Sequence, residues 1–208
     1  MIPLEIEIKY YIPKKEEIRA KIIDLCKDSH GLLFEKNIRY ENSDKSLLKQ
    51  NSIIRLRQTN KTNLTFKSKI PDKTKQFRIH KELEVEVSDF QTMNEILLSI
   101  GFHHEQIYEK WRETFSYNNA IICLDSMPFG CFLEIEGEKE AIIDTSNKLG
   151  LDWNKRILLS YIEIFFILKE KFNLPFSDIT FSNFEKYPVD FSKIVDIFIV
   201  NQNKIKRV

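Results

Sequence analysis

The chain has 208 residues, 42% hydrophobic and 12% aromatic, enough for one substantial core and too few for several independent domains. Its 32 Lys and Arg against 31 Asp and Glu leave a net charge of +1, which argues against a nucleic-acid binder working through a basic excess. Three cysteines without a CxxC argue against a disulfide framework or a zinc site, and five glycines form neither a GxxxxGK[ST] nor a GxGxxG loop.

Residues 4–12 alternate apolar and charged at period two, which predicts a strand with Ile6 and Ile8 on one face and Glu5, Glu7 and Lys9 on the other. Ile18, Ile22, Ile23, Leu25 and Cys26 then recur at helical spacing, so residues 14–28 read as an amphipathic helix. A second strand is expected over 32–41, ended by Asn42-Ser43-Asp44. Residues 52–59 and 63–70 read as a hairpin, carrying Arg55 and Arg57 on one arm and Lys67 and Lys69 on the other. The polar, Lys-rich stretch 71–77 reads as an exposed, mobile loop.

Residues 78–87 form the next expected strand, with Glu82, Glu84 and Glu86 opposite Leu83, Val85 and Val87. Asp89 is placed to cap a helix over 90–100, ended by Gly101. Strands are expected at 106–117, carrying Lys110 and Arg112, at 120–126, carrying Asp125, and at 131–137, carrying Glu134 and Glu136. His103 and His104 read as loop residues. Helices are expected over 139–149 and 155–172, and one or two short helices in the tail, 173–208. The organisation expected is a domain over 1–172 with an extension, 173–208, packed on it.

The pattern amounts to an α+β fold of about eight strands, mostly in hairpin order, with amphipathic helices to cover the apolar strand faces. One arrangement leaves the charged faces in solvent on an open antiparallel sheet. The other closes the strands into a barrel whose interior is charged. Burying so many charges demands partners, and a divalent cation with a polyanionic ligand would supply them. Paired acids at i and i+2 lie about 6.5–7 Å apart along a strand and can converge on a hard cation such as Mg²⁺ or Mn²⁺. Arginines at the same spacing can fork onto phosphate oxygens.

At these residues the sequence resembles the CYTH superfamily, the triphosphate tunnel metalloenzymes. The ExExK opening is Glu5, Glu7 and Lys9; the RxR strand is Arg55 and Arg57; the LTxK strand ends at Lys67. The central ExE is Glu82 and Glu84, the KxR is Lys110 and Arg112, and the closing LD…G-FLEIE runs from Leu124-Asp125 to Glu136. The resemblance covers roughly residues 4–172 and implies an eight-stranded, mainly antiparallel β-barrel with a charged tunnel. The sequence departs from the family pattern at Glu41, where an Asp is common, at His80-Lys81 before the central ExE, and in the tail.

The resemblance implies a metal-dependent hydrolase of a triphosphate-bearing small molecule, such as inorganic triphosphate, thiamine triphosphate or a nucleoside triphosphate. Glu5, Glu7, Glu134 and Glu136 are the expected metal ligands, with Glu84 and Asp125 as further ligands or water-positioning groups. Lys9, Arg55, Arg57, Lys67, Lys69, Lys110 and Arg112 are expected to bind substrate, and Lys9, Glu84 and Asp125 to act in catalysis. Lys69 and Arg39 read equally as rim charges. His80 is expected to hydrogen-bond near the tunnel mouth, Cys123 to be a packing thiol, Tyr161 to be structural and Trp111 to face outward into the helix layer.

The alternatives are a class IV adenylyl cyclase making cAMP and pyrophosphate, and a non-catalytic polyphosphate- or nucleotide-binding module. No His-Phe element precedes ExExK, as it often does in such cyclases, and both terminal ExE pairs are intact. The remaining expectations are a cytoplasmic protein without nucleic-acid or membrane partners, as monomer or homodimer. An apolar run at 164–168 is too short to cross a bilayer.

Overall fold

Alternation at period two gives β1 (Leu4–Tyr11) two unlike faces, and the same pattern recurs in β2 (Leu32–Asn42), β3 (Ser52–Gln58), β4 (Thr62–Ile70) and β5 (Arg78–Val87). It continues in β6 (Phe102–Tyr117), β7 (Ala120–Met127) and β8 (Gly130–Gly137). In the computed structural model, which describes residues 4–26 and 29–200, these strands close into an antiparallel barrel of order β1-β5-β4-β3-β2-β6-β7-β8. The last two positions of the expected 14–28 helix, the first three residues and the tail beyond residue 200 lie outside the described residues.

The apolar faces point outward, and helices cover those of β1, β7 and β8 and part of β2 and β3, while Leu83 and Val85 of β5 stay exposed. α1 (Lys15–Cys26) and α4 (Lys139–Lys148) bury Ile18, Ile22 and Ile142 against Ile8, Ile122, Leu124 and Ile135 of the β1–β7–β8 wall. Each such side chain, removed from water, contributes roughly 1.5–3 kcal/mol. α3 (Phe90–Ser99) covers Ile38, Tyr40 and Leu56 of β2 and β3 with Leu97, and Asp89 caps it by accepting from Thr92 N at 2.7 Å.

The third cluster gathers the chain end. Phe165 and Leu168 of α5 (Tyr161–Phe172) and Phe184 of α6 (Phe181–Lys186) pack with Phe191, Phe198, Phe129 and Phe132. Tyr11 and Phe132 share the interior parity of Lys9 and Glu134, yet they meet Phe191 with ring centroids 4.9 and 5.1 Å away. The interior therefore changes from charged to aromatic at the end where β1 stops.

Several local expectations need correction. The helix expected from residue 155 starts at Tyr161, because Ser160 and Glu163 form a capping box there. Ahead of it, Ile157 is extended and bridges Lys9 and Ile199. β6 begins at Phe102 instead of 106, so His103 and His104 are strand residues paired with Glu41 and Tyr40. A one-turn helix, α2 (Ser46–Lys49), occupies the expected loop after β2, where the Glu41 carboxylate accepts from Leu47 N and Leu48 N. The 71–77 segment is tied down: Asp72 accepts from the backbone N–H groups of Thr74, Gln76 and Phe77, and Phe77 is buried against Trp153. Trp111 does face outward, but it is 41% exposed and meets Phe34 in a tilted ring contact instead of entering a helix layer.

Candidate active site

The barrel encloses a cavity of about 580 Å³ lined by nine Lys and Arg side chains and seven Glu, so it is a sorted mixture of charges and not an open basic funnel. Strand register does the sorting. Lys67 faces Glu82, Arg112 faces Asp125, Lys9 faces Glu134, Arg78 faces Glu7 and Lys110 faces Glu35. Directly opposed residues on one face lie within reach of each other, so each of these pairs offsets its own charge.

Two register pairs break the rule. Glu7 faces Glu136 across the β1–β8 seam, and Arg39 faces Arg55 between β2 and β3. The acidic pair is joined by Glu5, and the three side chains offer oxygens lying within 4.8 Å of one another. Burial, with the repulsion of Glu7, pushes the Glu5 carboxyl up to about 8. Burial, together with Glu134 and Glu7, pushes Glu136 up to about 7 despite Arg112. Burial opposes ionisation of Glu7 as well, but Lys9 and Arg78 outweigh it and hold the group below the usual carboxylate range.

The β6–β7–β8 wall carries a denser network. Arg112 donates to both oxygens of Asp125 at 2.7 Å and also to Glu134. Lys9 pairs with Glu134 at 2.6 Å. Asp125, fully buried, further accepts from Lys110 at 3.0 Å and from the Tyr161 hydroxyl at 2.8 Å. Lys9 lies 4.4 Å above the Tyr161 ring. Burial is the main opposing influence on Glu134, yet Lys9 and Arg112 bring it well below the ordinary range.

On the opposite wall, Arg57 donates to both oxygens of Glu84 at 2.8 and 3.0 Å. Glu84 also accepts from Thr65 at 2.7 Å and lies 3.7 Å from Arg55. Arg55 donates to the Tyr108 hydroxyl at 3.1 Å and to Thr65 at 3.2 Å. Lys67 reaches Glu5 at 2.7 Å and Glu82 at 3.0 Å. Lys69 is nearer the rim, 3.6 Å from Glu163. The first turn of α5 lines this end through Ser160, Tyr161, Ile162 and Glu163.

Among the expected ligands, Glu5, Glu7 and Glu136 come together, while Glu134, Asp125 and Glu84 sit among basic partners. All the expected substrate-binding residues, Lys9, Arg55, Arg57, Lys67, Lys69, Lys110 and Arg112, line the one cavity. The hydrogen bond expected of His80 is not seen among the described residues: its Nδ1 is buried without a partner there, 3.7 Å from Glu5. Burial and Arg78 lower its pKa to about 4.

Three interior residues were not singled out in the sequence: Arg78, Glu35 and Tyr108. Arg78 shares the parity of His80 and Glu82, and Glu35 that of Asn37 and Arg39, so strand periodicity carried the signal. Tyr161, expected to be structural, lies in the interior, where its hydroxyl donates to Asp125. Cys123 is buried, and burial raises its thiol far above the ordinary range.

None of the curated proteins compared with the chain matches it in sequence. The structure of the PH1012 protein of Pyrococcus horikoshii OT3 is similar over 76% of this chain and 98% of its own, with 27% identity and a TM-score of 0.65. A Vibrio parahaemolyticus protein described as an adenylate cyclase candidate is similar over 79% of this chain and 99% of its own, with 18% identity and a TM-score of 0.69. A Hippeastrum protein described as an adenylyl cyclase candidate with a dominant triphosphatase activity is similar over 81% and 95%, with 16% identity and a TM-score of 0.59. A family model for the CYTH domain matches residues 3–159, the span that builds all eight strands and their charged interior, and the chain therefore belongs to the CYTH family.

Proposed function

We propose that the chain is a divalent-metal-dependent hydrolase of a small molecule bearing a triphosphate. The observation that carries this reading is the pair of like-charged registers, Glu7 with Glu136 and Arg39 with Arg55, on the lining of one cavity. Like charges directly opposed destabilise a sheet unless a counter-charge intervenes. An acidic pair asks for a cation and a basic pair for an anion, and a metal-bound polyphosphate provides both.

The donor set fits a hard ion. Glu5, Glu7 and Glu136 offer only carboxylate oxygens, which suit Mg²⁺ or Mn²⁺ and leave positions for water or phosphate. Once bound there, such an ion supplies charge neutralisation and a more acidic bound water. Glu134 adjoins the trio through Glu136, and its role is to hold Lys9 and Arg112 in place.

The basic side chains bind and orient the polyphosphate. Arg55 and Arg57 supply planar, bidentate donors, while Lys9, Lys67 and Lys110 supply point charge. Arg112 joins them from the wall that Asp125 anchors, and Lys69 serves the end next to α5. Phosphoryl transfer depends mainly on such positioning and on charge stabilisation. Glu84 and Asp125 act by fixing Arg57, Arg112 and Lys110, and Lys9 by meeting the developing phosphate charge.

Tripolyphosphate, thiamine triphosphate and ATP, each given with Mg²⁺ or Mn²⁺, test the reading by their products. Metal-dependent release of orthophosphate is expected. Cyclic AMP with pyrophosphate as the only products from ATP would replace hydrolysis by cyclisation. Binding without any product would reduce the protein to a polyphosphate-binding module.

A further inference from the structure

We propose that Arg78 is a further substrate-binding residue, held on Glu7 until a divalent cation takes that carboxylate and then transferred to a phosphate oxygen. The inference rests on the metal-dependent reading above.

Arg78 and Glu7 are register partners, and Nη1 donates to Glu7 Oε1 at 2.5 Å. Glu7 is also a member of the three-carboxylate group with Glu5 and Glu136. A cation shared by that group competes with the guanidinium for the Glu7 charge and repels it at short range. Lys67 stands in the same relation to Glu5 at 2.7 Å, but Glu82, 3.0 Å away, keeps it paired when Glu5 is taken. Among the described residues Arg78 has no second hydrogen-bonded carboxylate. Its Nη2 is 4.0 Å from Glu163, beyond hydrogen-bond reach, and Glu163 Oε2 already accepts from Ser160 N at 2.6 Å and Oγ at 2.8 Å. Its Nε is buried and has no hydrogen-bond partner among the described residues.

A guanidinium has five N–H donors, and among the described residues only one of its nitrogens here is engaged in a hydrogen bond. The side chain lines the cavity together with Lys69 beside the first turn of α5, both within 4.0 Å of Glu163. A released Arg78 therefore meets an anion in the cavity with its planar fork intact. The consequence is reciprocal coupling: the cation improves anion binding, and the anion, by drawing off Arg78, improves cation binding.

Mn²⁺ affinity without substrate and imidotriphosphate affinity with and without Mn²⁺ test this on wild type, Arg78→Gln, Arg78→Lys and Glu7→Gln. Arg78→Gln is expected to bind Mn²⁺ about tenfold tighter in the absence of anion, having lost the competing pair. With Mn²⁺ present it is expected to bind imidotriphosphate about tenfold more weakly, so the coupling shrinks. Arg78→Lys keeps the charge but loses the fork, and about threefold weaker imidotriphosphate binding is expected. Unchanged or weaker Mn²⁺ binding by a folded Arg78→Gln protein overturns the proposal. Unchanged imidotriphosphate binding by Arg78→Lys does the same if Arg78→Gln fails to fold. Loss of Mn²⁺ from Glu7→Gln alone, with Arg78→Gln like wild type, defeats the exchange and leaves the metal site standing. Wild-type Mn²⁺ binding by Glu7→Gln removes the metal site and this inference together.

Discussion

Glu7 and Glu136 face each other across the seam where the first and last strands of the barrel join. Closure of the barrel forces two carboxylates into one register position, next to a third, Glu5. No basic residue faces Glu136 in the register of β1, and Arg112 approaches it only to 3.9 Å.

Removing one of these charges separates function from stability. Glu136→Gln is expected to abolish Mn²⁺ binding and metal-dependent turnover while stabilising the metal-free protein by roughly 1 kcal/mol, or about 2–4 °C in Tm. The sign follows from protonation. Glu5 and Glu136, raised to about 8 and about 7, hold protons in the folded state where the unfolded chain has lost them. Metal-free stability therefore falls as pH rises from the ordinary carboxylate range toward 8. Thermal melts across that range, with and without Mn²⁺, measure both effects; a lower metal-free Tm for the variant at pH 8 contradicts the account.

Glu35 should behave in the opposite way. Burial disfavours its charge, but Lys110, Arg112 and Arg57 hold its pKa down to about 2. Lys110 and Arg57 approach it at 3.5 and 3.8 Å without closing a hydrogen bond, so the hold is through-space. Its stabilisation is complete above the unfolded carboxylate range and is lost as pH falls toward 2. Glu35→Gln is expected to cost on the order of 2 kcal/mol at pH 7 and much less at pH 3. Denaturant titrations at the two values check it, and an equal cost at both would rule out a charge effect.

Tyr161 offers a hydroxyl and a ring to different partners. Tyr161→Phe removes the bond to Asp125 but leaves the ring beneath Lys9, at an expected cost of about 1–2 kcal/mol. Tyr161→Ala removes both and opens a cavity, at about 3–5 kcal/mol. Urea unfolding of the two variants gives the difference. Equal losses would mean that the ring contributes nothing.

Phe191 lies beyond the span of the family match, yet it meets Tyr11, Phe129 and Phe132 at the charged-to-aromatic boundary. Phe191→Ala is expected to cost about 3–5 kcal/mol, as for a buried aromatic in a domain core. A cost below about 1 kcal/mol, within surface-mutation range, would show that the tail is not integral to the fold.

Much of this arrangement was legible in the residues. Period-two alternation places Glu5, Glu7, Lys9, Arg55, Arg57, Lys67, Lys110 and Arg112 on strand faces without any knowledge of pairing. The helices were also legible where spacing and caps agreed, as at Asp89. Local pattern failed where a long-range partner decided the outcome. Residues 157–159 carry apolar side chains suited to a helix, but Ile157 is claimed by the backbone of Lys9. The 71–77 segment reads as polar and loose, and one Asp72 carboxylate organises it.

By itself the sequence determined which residues carry charge, which strand face each occupies and that opposite signs recur at matching spacing, because side-chain direction in a strand is a local property. Only the tertiary structure decided which charge meets which. Register is set by closure across pairs far apart in the chain. That closure joins Lys9 to Glu134, leaves Glu7 beside Glu136, and brings Arg78, unmarked in the sequence, onto the carboxylate that a cation would claim.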